Sequence, residues 1–158
     1  QYHFKDEGQR ADLMQLLPDF APGQHVYTCG APRFMDGVFE AAAAHGWPED
    51  AMHRGYFSVP EADAWVNQAF ELVLQKSGRR LSVSAERSAT EVLAEAGLGI
   101  SVKCSDGLCG VCALPYDAQA SDPVEHRDFV LSQKERQHKI ILCCSRAQQA
   151  GGVIRLDS

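Results

Sequence analysis

The chain has 158 residues, a net charge of −6 at neutral pH and apolar side chains at 45% of its positions. This length suits one medium-sized domain or two small ones, and the apolar share is sufficient for a hydrophobic core. The acidic balance argues against nucleic acid or an anionic membrane as a partner. No apolar run approaches the roughly eighteen residues that span a membrane, and the first residues lack the pattern of a secretory signal, so the sequence predicts a cytoplasmic protein.

The first block, residues 1–58, alternates strand and helix patterns. Its predicted elements are an extended segment at 1–4, a helix at 11–17, a strand at 25–29, a helix from Pro32 to just before Gly46, and a strand at 52–57. Proline at the start of a helix and glycine after its end are typical boundary signals. The alternation predicts an α/β fold with a parallel sheet.

A short linker, residues 59–66, leads into a second block, residues 67–158, with a different pattern. Its predicted elements are a β-hairpin at 69–75 and 80–84, a helix capped by Ser88 and Glu91, strands at 114–117, 140–145 and 153–156, and a helical turn at 132–137. Serine followed three residues later by glutamate is the capping-box pattern. A hairpin, a helix and further strands in this order predict an α+β domain of the β-grasp type.

The cysteines of the second block carry its chemistry. Cys104, Cys109 and Cys112 have the spacing C-x4-C-x2-C, and a fourth thiol, Cys143 or Cys144, follows about thirty residues later. This is the spacing of plant-type 2Fe-2S clusters, in which one loop supplies three thiolates and a distant segment supplies the fourth.

The residues between the cysteines fit a loop that wraps closely around such a cluster. Glycines allow tight turns, and backbone N–H groups that point inward stabilise charge on sulfur. The predicted cluster-binding loop residues are Ser105, Asp106, Gly107, Leu108 and Gly110.

Two other sites also use several cysteines. Four thiolates satisfy a structural zinc ion, although zinc sites usually come as two short paired knuckles and not as three cysteines in one loop. Six cysteines also allow a disulfide framework, but such frameworks are typical of smaller secreted domains that follow a signal peptide. A Rieske centre needs histidine near the ligand cysteines, and the chain contains no C-x-H pattern; that site is excluded.

Further motifs resemble one family along essentially the whole chain: the flavin and iron–sulfur reductases of two-component Rieske oxygenases, of the phthalate dioxygenase reductase and vanillate O-demethylase reductase type. The matching motifs are Tyr27-Thr28-Cys29-Gly30, Phe34-Met35-Asp36, Gly46-Trp47-Pro48, residues 53–57, the cysteine loop, His126-Arg127-Asp128 and Cys143-Cys144-Ser145-Arg146-Ala147.

The resemblance implies a domain order and a set of cofactors. In that family a flavin barrel comes first, then a pyridine-nucleotide domain, then a plant-type ferredoxin domain. Residues 1–58 would then be the second half of the parallel-sheet NAD-binding domain, and the flavin domain would lie outside the chain. The parent protein would be an NADH-dependent oxidoreductase that passes electrons from NADH through FMN and a 2Fe-2S cluster to a Rieske-type oxygenase, which demethylates or hydroxylates an aromatic substrate. The chain by itself is not expected to be active with NADH.

The resemblance also implies roles for individual residues. Cys104, Cys109 and Cys112 would be cluster ligands, Cys29 and Gly30 would lie beside the nicotinamide ring, and Phe57 would pack near the flavin. No side chain is assigned a catalytic role. Departures from the family pattern are Ala31, where proline usually follows the Cys-Gly pair, and Gly55, where an acidic residue is common.

The fourth ligand is predicted to be Cys143. In the family a cysteine and an apolar residue precede Ser-Arg-Ala, which puts the ligand at Cys143 and gives Cys144 the apolar position. Neighbouring residues of a strand also point to opposite faces, so Cys143 and Cys144 are not expected to reach the same cluster.

Two alternatives remain at this stage. The first is a freestanding ferredoxin-like electron carrier without NADH-oxidising activity, in which residues 1–58 form an accessory docking segment. The second is a zinc-stabilised interaction module.

Overall fold

The structure, a computed structural model, describes residues 11–59 and 65–157. The chain forms two compact units that divide between Gly55 and Tyr56. The extended segment predicted at residues 1–4 and much of the predicted linker lie outside the described residues. Within the described part, no helix is both long and apolar enough to cross a membrane.

The first unit is a βαβ arrangement. Its elements are α1 (Leu13–Leu16), β1 (Val26–Cys29), α2 (Pro32–Ala44), a single 3-10 turn (Glu49–Ala51) and β2 (Met52–Gly55). Strands β1 and β2 pair in parallel, with Tyr27 opposite His53. The parallel pairing predicted from the alternating pattern is therefore present between these two strands.

Helix α2 packs one face of this unit. Pro32 occupies its first turn, where a missing N–H costs nothing, and the chain turns at Gly46, whose φ is +76°. The helix buries Met35, Val38, Ala41 and Ala42. Ala42 packs with Trp47, whose indole N–H donates to the carbonyl of Pro18 at 2.9 Å. The buried cluster of this unit is small.

The second unit begins with the predicted hairpin and helix. Strand β3 (Phe70–Leu74) pairs antiparallel with β4 (Arg80–Val83) and parallel with the last strand, β9 (Val153–Leu156). Helix α3 (Ala89–Glu95) starts with the capping box predicted from sequence, because the Ser88 hydroxyl accepts from the Glu91 N–H and the Glu91 carboxylate accepts from the Ser88 N–H.

The remaining elements of the second unit are short. They are β5 (Ala113–Pro115), β6 (Val124–Glu125), α4 (Gln133–Arg136), β7 (Lys139–Ile141) and β8 (Arg146–Ala147). Strand β5 pairs antiparallel with β7, and β6 pairs antiparallel with β8. Together with the β4–β3–β9 sheet they enclose one hydrophobic core built from β3, β4, β9, α3 and the residues around β7.

The strand predicted over 140–145 is wrong at its C-terminal end. Strand β7 stops at Ile141, and residues 142–144 form a turn in which the Ser145 N–H donates to the Ile141 carbonyl at 3.0 Å. The apolar run Ile140–Leu142 is fully buried, which explains why it resembles a strand in the sequence. Periodicity alone does not distinguish a buried strand from a buried turn.

Candidate metal centre

The cysteine loop follows α3 and contains no regular secondary structure between residues 101 and 111 apart from turns and bends. Three of its residues adopt left-handed backbone conformations: Ser105 at φ +63°, Gly107 at φ +73° and Gly110 at φ +71°. Glycine adopts this conformation without strain, whereas Ser105 adopts it at a cost. These conformations reverse the chain direction repeatedly and bring Cys104 and Cys109 close to each other.

Backbone N–H groups of the loop point at its sulfur atoms. Those of Asp106, Leu108 and Cys109 donate to Cys104, and that of Gly107 donates to Cys143. Residues 106–109 thus supply N–H groups to these two sulfurs, whereas Ser105 and Gly110 shape the loop through their positive φ angles. Such donors stabilise negative charge on sulfur.

The thiols approach one another in two pairs. Cys104 lies within hydrogen-bonding reach of Cys109, and Cys112 lies within hydrogen-bonding reach of Cys143. Among the described residues, no three cysteine, histidine or acidic side chains converge on a single point. A zinc ion requires four ligands around one point, whereas a two-iron cluster takes two thiolates at each iron. All six cysteines of the chain carry free thiols.

The environments of the two pairs differ in exposure. Cys109 is exposed and Cys104 is half-buried, whereas Cys112 is 2% exposed. Cys143 is half-buried. The Cys104–Cys109 pair therefore lies toward the solvent and the Cys112–Cys143 pair toward the core.

The pKa values follow the same division. Burial raises the pKa of Cys104, but backbone and Cys109 hydrogen bonds outweigh it and lower the pKa to about 7. The hydrogen bond with Cys143, together with burial, raises the pKa of Cys112. For Cys143 the bond to Cys112 lowers the pKa, but the bond to Cys144 and burial outweigh it and raise the pKa to about 12. Cys104 therefore loses its proton more easily than an ordinary thiol, whereas Cys112 and Cys143 release theirs only to a strong competitor such as a metal.

The turn after β7, and not the alternation of a strand, gives the Cys143 and Cys144 side chains different neighbours. Both residues lie in the 142–144 turn, so the premise that they point to opposite faces of a strand is wrong. The sulfur of Cys143 approaches Cys112, whereas the sulfur of Cys144 lies against Gly107, where an added Cβ would come within 2.8 Å of it. Cys143 is thus the partner of Cys112.

The candidate nucleotide residues of the first unit lie at the carboxyl end of its parallel sheet. Cys29 ends β1 and is exposed, and Gly30 follows it with φ +145°. Gly55 ends β2, and a Cβ placed there would lie 3.6 Å from the Cys29 sulfur. Parallel α/β sheets bind ligands at this edge. Phe57, by contrast, belongs to the second unit by the division of the chain, and its side chain is 91% exposed.

Comparison with known proteins identifies the second unit. Residues 72–148 match the family model of the 2Fe-2S iron-sulfur cluster binding domain, with all three loop cysteines and both candidates for the fourth thiol inside the match. This part of the chain is a 2Fe-2S domain. The cofactor expected from the cysteine spacing is confirmed.

Relatives extend the match across the first unit. The chain is 33% identical to the vanillate O-demethylase oxidoreductase of Acinetobacter baylyi over 99% of its own length and 50% of that protein. It is 36% identical to the heme-dependent oxidative N-demethylase beta subunit of Ectopseudomonas mendocina over 94% of its length and 45% of that protein. The resemblance to oxygenase reductases is confirmed, and the chain spans about half the length of these curated relatives.

A solved structure shows the same fold. Phthalate dioxygenase reductase, described as a modular structure for electron transfer from pyridine nucleotides to [2Fe-2S], superposes with a TM-score of 0.60 at 32% identity. The match covers 94% of this chain and 45% of that one.

In the 2Fe-2S domain, Arg146 holds the turn that carries Cys143. The side chain is 6% exposed, and its guanidinium donates to the carbonyls of Gln68, Ser84, Ala85 and Arg87. It also lies 5.7 Å from the ring centroid of Phe70. In the sequence this arginine is recognisable only as part of a motif, because no local signal shows that four distant carbonyls would converge on it.

Asp128 supports the loop of the 2Fe-2S domain from the other side. Its Oδ1 accepts from the N–H groups of Val130 and Leu131, and its Cα would lie 3.1 Å from a Cβ at Gly107. The next residue, Phe129, donates its N–H to the Gly107 carbonyl at 3.1 Å. The motif His126-Arg127-Asp128 therefore contacts the cluster loop through backbone atoms.

Proposed function

We propose that this chain is the electron-transfer half of an oxygenase reductase, with the cluster held by Cys104, Cys109, Cys112 and Cys143. The observation that carries the proposal is the approach of these four thiols in two pairs inside a matched 2Fe-2S domain. A 2Fe-2S cluster accepts and releases one electron at a time. Cys104 and Cys109 would hold one iron, and Cys112 and Cys143 the other.

In this transfer the protein stabilises the negative charge on the ligand sulfurs and keeps the site close to the surface. Backbone N–H groups of Asp106, Leu108 and Cys109 offset the negative charge on the Cys104 sulfur. Cys109 is exposed, and Val102 and Val111 beside the loop are each 44% exposed. An electron therefore has a short path from this loop to a docked partner.

The partner that we propose is an oxygenase component of the Rieske type. Support comes from relatives that are named vanillate O-demethylase oxidoreductase. The relative named heme-dependent oxidative N-demethylase beta subunit, at similar identity, favours a second class of partner, a haem-dependent oxidative demethylase. The net charge of −6 suits a partner with a basic docking surface in either class.

Upstream of the cluster, we propose that the full-length protein takes electrons from NADH through FMN. The parallel βαβ unit, with Cys29 and Gly30 at the carboxyl end of β1, supports its assignment as the second half of an NAD-binding domain, with these two residues beside the nicotinamide. The exposed ring of Phe57 is available to pack against a flavin. A flavin is needed because it converts a two-electron hydride into single electrons.

The freestanding carrier is the runner-up function. The same thiol pairs would hold the cluster of such a carrier, and residues 1–58 would then serve only as an accessory docking segment. The relationship that continues across the first unit at 33% identity favours the reductase.

The test is electron delivery by the chain after anaerobic reconstitution with iron and sulfide. The dithionite-reduced and desalted protein is mixed in a stopped-flow instrument with ferricytochrome c and, separately, with the oxidised oxygenase component of the Acinetobacter vanillate O-demethylase. We expect one electron per chain to reach the acceptor, and no reduction when NADH replaces dithionite.

The same experiment on the full-length protein separates the two functions. A reductase acquires FMN and reduces its cluster with NADH, whereas a freestanding carrier does neither. Failure of the reconstituted chain to deliver any electron would contradict both functions.

A further inference from the structure

The chain that enters the 2Fe-2S domain, residues 65–67, lies on a buried arginine. Arg127 is 7% exposed, and its guanidinium donates to the side-chain oxygen of Asn67 at 2.6 Å and to the carbonyl of Val66 at 3.0 Å. It also lies 5.1 Å from the centre of the Trp65 ring, within the range of a cation–π contact. One side chain therefore contacts three consecutive residues that precede β3.

The domain fixes this guanidinium from the other side. Arg127 Nε donates to Glu125 Oε2 at 2.8 Å, and the two side chains form an ion pair. A buried cation is costly unless it is paired and hydrogen-bonded, and these acceptors meet that requirement. Trp65, Val66 and Asn67 are themselves exposed. The arginine, and not burial in the core, therefore holds these three residues on the domain.

The residues around Arg127 also contact the cluster loop and the chain that follows β2. The Arg127 carbonyl oxygen would lie 3.3 Å from a Cβ at Gly107, and the Phe129 N–H donates to the Gly107 carbonyl at 3.1 Å. The centre of the Phe129 ring lies 5.4 Å from that of Tyr56, the first residue of the second unit. Residues 127–129 therefore contact the cluster loop and, through their side chains, both ends of the chain between β2 and β3.

We propose that Arg127 and Phe129 position the 2Fe-2S cluster for electron entry, because they hold residues 65–67 and Tyr56 on the domain beside the cluster loop. The inference rests on the proposed function, in which the electron comes from a flavin outside this chain. One electron leaves the reduced flavin and reduces the oxidised cluster, so the rate depends on the geometry of donor and acceptor. A connection that is held on the domain also keeps the effective concentration of the donor high. Arg127 and Phe129 act through the chain that they hold and are positioning residues.

Two variants remove the arginine contact from its two sides. Arg127→Lys keeps a positive charge beside Glu125, but an ammonium group lacks the planar fork with which the guanidinium binds several acceptors together. The double variant Trp65→Leu with Asn67→Ala changes only exposed residues and leaves the ion pair of Arg127 with Glu125 in place. An effect shared by both variants therefore belongs to the contact and not to the stability of the domain.

The first measurement uses the reconstituted chain without flavin. Trp47 is 7% exposed, so acrylamide quenching of tryptophan fluorescence reports mainly Trp65, which is 47% exposed. We expect Arg127→Lys to raise the quenching constant by up to about twofold, because the ring loses the cation that covers one face. Arg87→Lys, at a solvent-accessible ion pair with Glu95, is the matched control and should leave the quenching unchanged. Equal quenching in wild type and Arg127→Lys would overturn the inference.

The second measurement uses the full-length protein, reduced anaerobically by NADH in a stopped-flow instrument. Phe129→Leu joins the two variants, because it removes the ring contact with Tyr56 and keeps the backbone hydrogen bond. We expect each variant to slow electron transfer from flavin to cluster by about tenfold or more, since a small misplacement of reacting groups costs up to about a hundredfold in rate. The rate of flavin reduction by NADH, the iron and sulfide content and the reduction potential of the cluster should match the wild type.

The outcomes separate this inference from the proposed function. If all three variants reduce the cluster at the wild-type rate, the positioning role is overturned and the proposed function stands. If Arg127→Lys is slow only because it loses the cluster, and the double variant is as fast as wild type, Arg127 supports the domain alone and the inference is again overturned. If the wild-type full-length protein binds no flavin or does not reduce its cluster with NADH, the proposed reductase function and the inference fail together.

Discussion

At the scale of single residues, Gly107 is the tightest point of the cluster loop. Its φ is +73°, and a Cβ would lie 2.8 Å from the Cys144 sulfur, 3.1 Å from the Asp128 Cα and 3.3 Å from the Arg127 carbonyl oxygen. Two of these three neighbours are backbone atoms, which cannot move as a flexible side chain can. The loop can therefore close on the 142–144 turn only if this position has no side chain.

Gly107→Ala is expected to lower iron and sulfide incorporation and stability together. Left-handed backbone costs an alanine roughly 1–2 kcal/mol, and the contacts add to that cost. Gly78→Ala is the matched control, because Gly78 has φ +67° but nothing within 4 Å of an added Cβ. Urea unfolding and metal analysis measure both effects; equal losses in the two variants would show that close packing at Gly107 does not matter.

Arg146 gives a second prediction at this scale. Arg146→Lys leaves buried carbonyls without their planar donor, and each unpaired acceptor is costly, so we expect a loss of about 1–3 kcal/mol in the free energy of unfolding. Arg80→Lys is the control, since Arg80 forms an exposed ion pair with Glu71 and its replacement should cost less than about 1 kcal/mol. If chemical denaturation shows that Arg146→Lys lowers the free energy of unfolding no more than Arg80→Lys does, the hydrogen bonds of Arg146 to the four carbonyls do not contribute to stability as expected.

Contacts between residues that are close in the chain can be predicted from the sequence, whereas contacts between distant residues cannot. Cysteine spacing identified Cys104, Cys109 and Cys112 as a set because their chemistry and separation are local in the chain. The partner of Cys112 lies about thirty residues away, and the cysteine spacing leaves Cys143 and Cys144 both open. The choice of Cys143 from sequence depends on the family pattern around Ser-Arg-Ala. The carbonyls that bind Arg146 are about sixty to eighty residues distant, so no pattern in the sequence predicts them.

At the scale of elements, the predictions succeeded where local signals were strong. The hairpin, the capped helix α3 and the last strand at Val153–Leu156 lie where alternation, capping and turn residues put them. Strands β6 and β8 were missed because each has two residues and no period to detect. Such short strands form through tertiary contacts and not through intrinsic propensity.

The connection between β6 and α4 gives the third prediction. His126 is 12% exposed; its Nδ1 lies 3.8 Å from Asp128 Oδ2, and the Tyr116 hydroxyl and the side chain of Arg136 are nearby. Burial lowers the pKa of His126, with Asp128 opposing and Arg136 reinforcing the shift. The folded chain therefore holds this proton more weakly than the unfolded chain.

Stability from this histidine is present above its ordinary pKa of about 6.5 and is lost as pH falls through the lower folded-state pKa. We expect the free energy of unfolding to fall between about pH 7.5 and about pH 5, and His126→Gln to reduce that fall. His138→Gln, at an exposed histidine of the same unit, is the control. A pH dependence that His126→Gln leaves unchanged would assign the titration to other groups.

At the scale of the whole molecule, the two units differ in the size of their cores. The second unit buries a continuous cluster that includes Leu72, Leu93, Ile140 and Ile154, whereas the first buries a small cluster around Ala42 and Trp47. The first unit also exposes Tyr27, 74% accessible, on a face of a parallel sheet. Parallel sheets normally have both faces covered.

This asymmetry gives the fourth prediction. Hydrogen exchange on the chain should show slow amides in β3 and β9 and amides in β1 and β2 that exchange faster by at least about two orders of magnitude, because less buried area protects them. Mass spectrometry of peptides from the two units measures the ratio. Equal protection in both units would contradict a weak first unit.

The proposed function requires Cys104, Cys109, Cys112 and Cys143 to hold a 2Fe-2S cluster. The most direct test is iron, acid-labile sulfide and zinc content of the anaerobically purified chain, with EPR after dithionite reduction, for wild type and for Cys143→Ser. We predict two irons and two sulfides per wild-type chain with a rhombic signal, and a lost or altered signal in the variant. Stoichiometric zinc without sulfide, reproduced after anaerobic reconstitution with iron and sulfide, would contradict the account and leave a structural four-cysteine module.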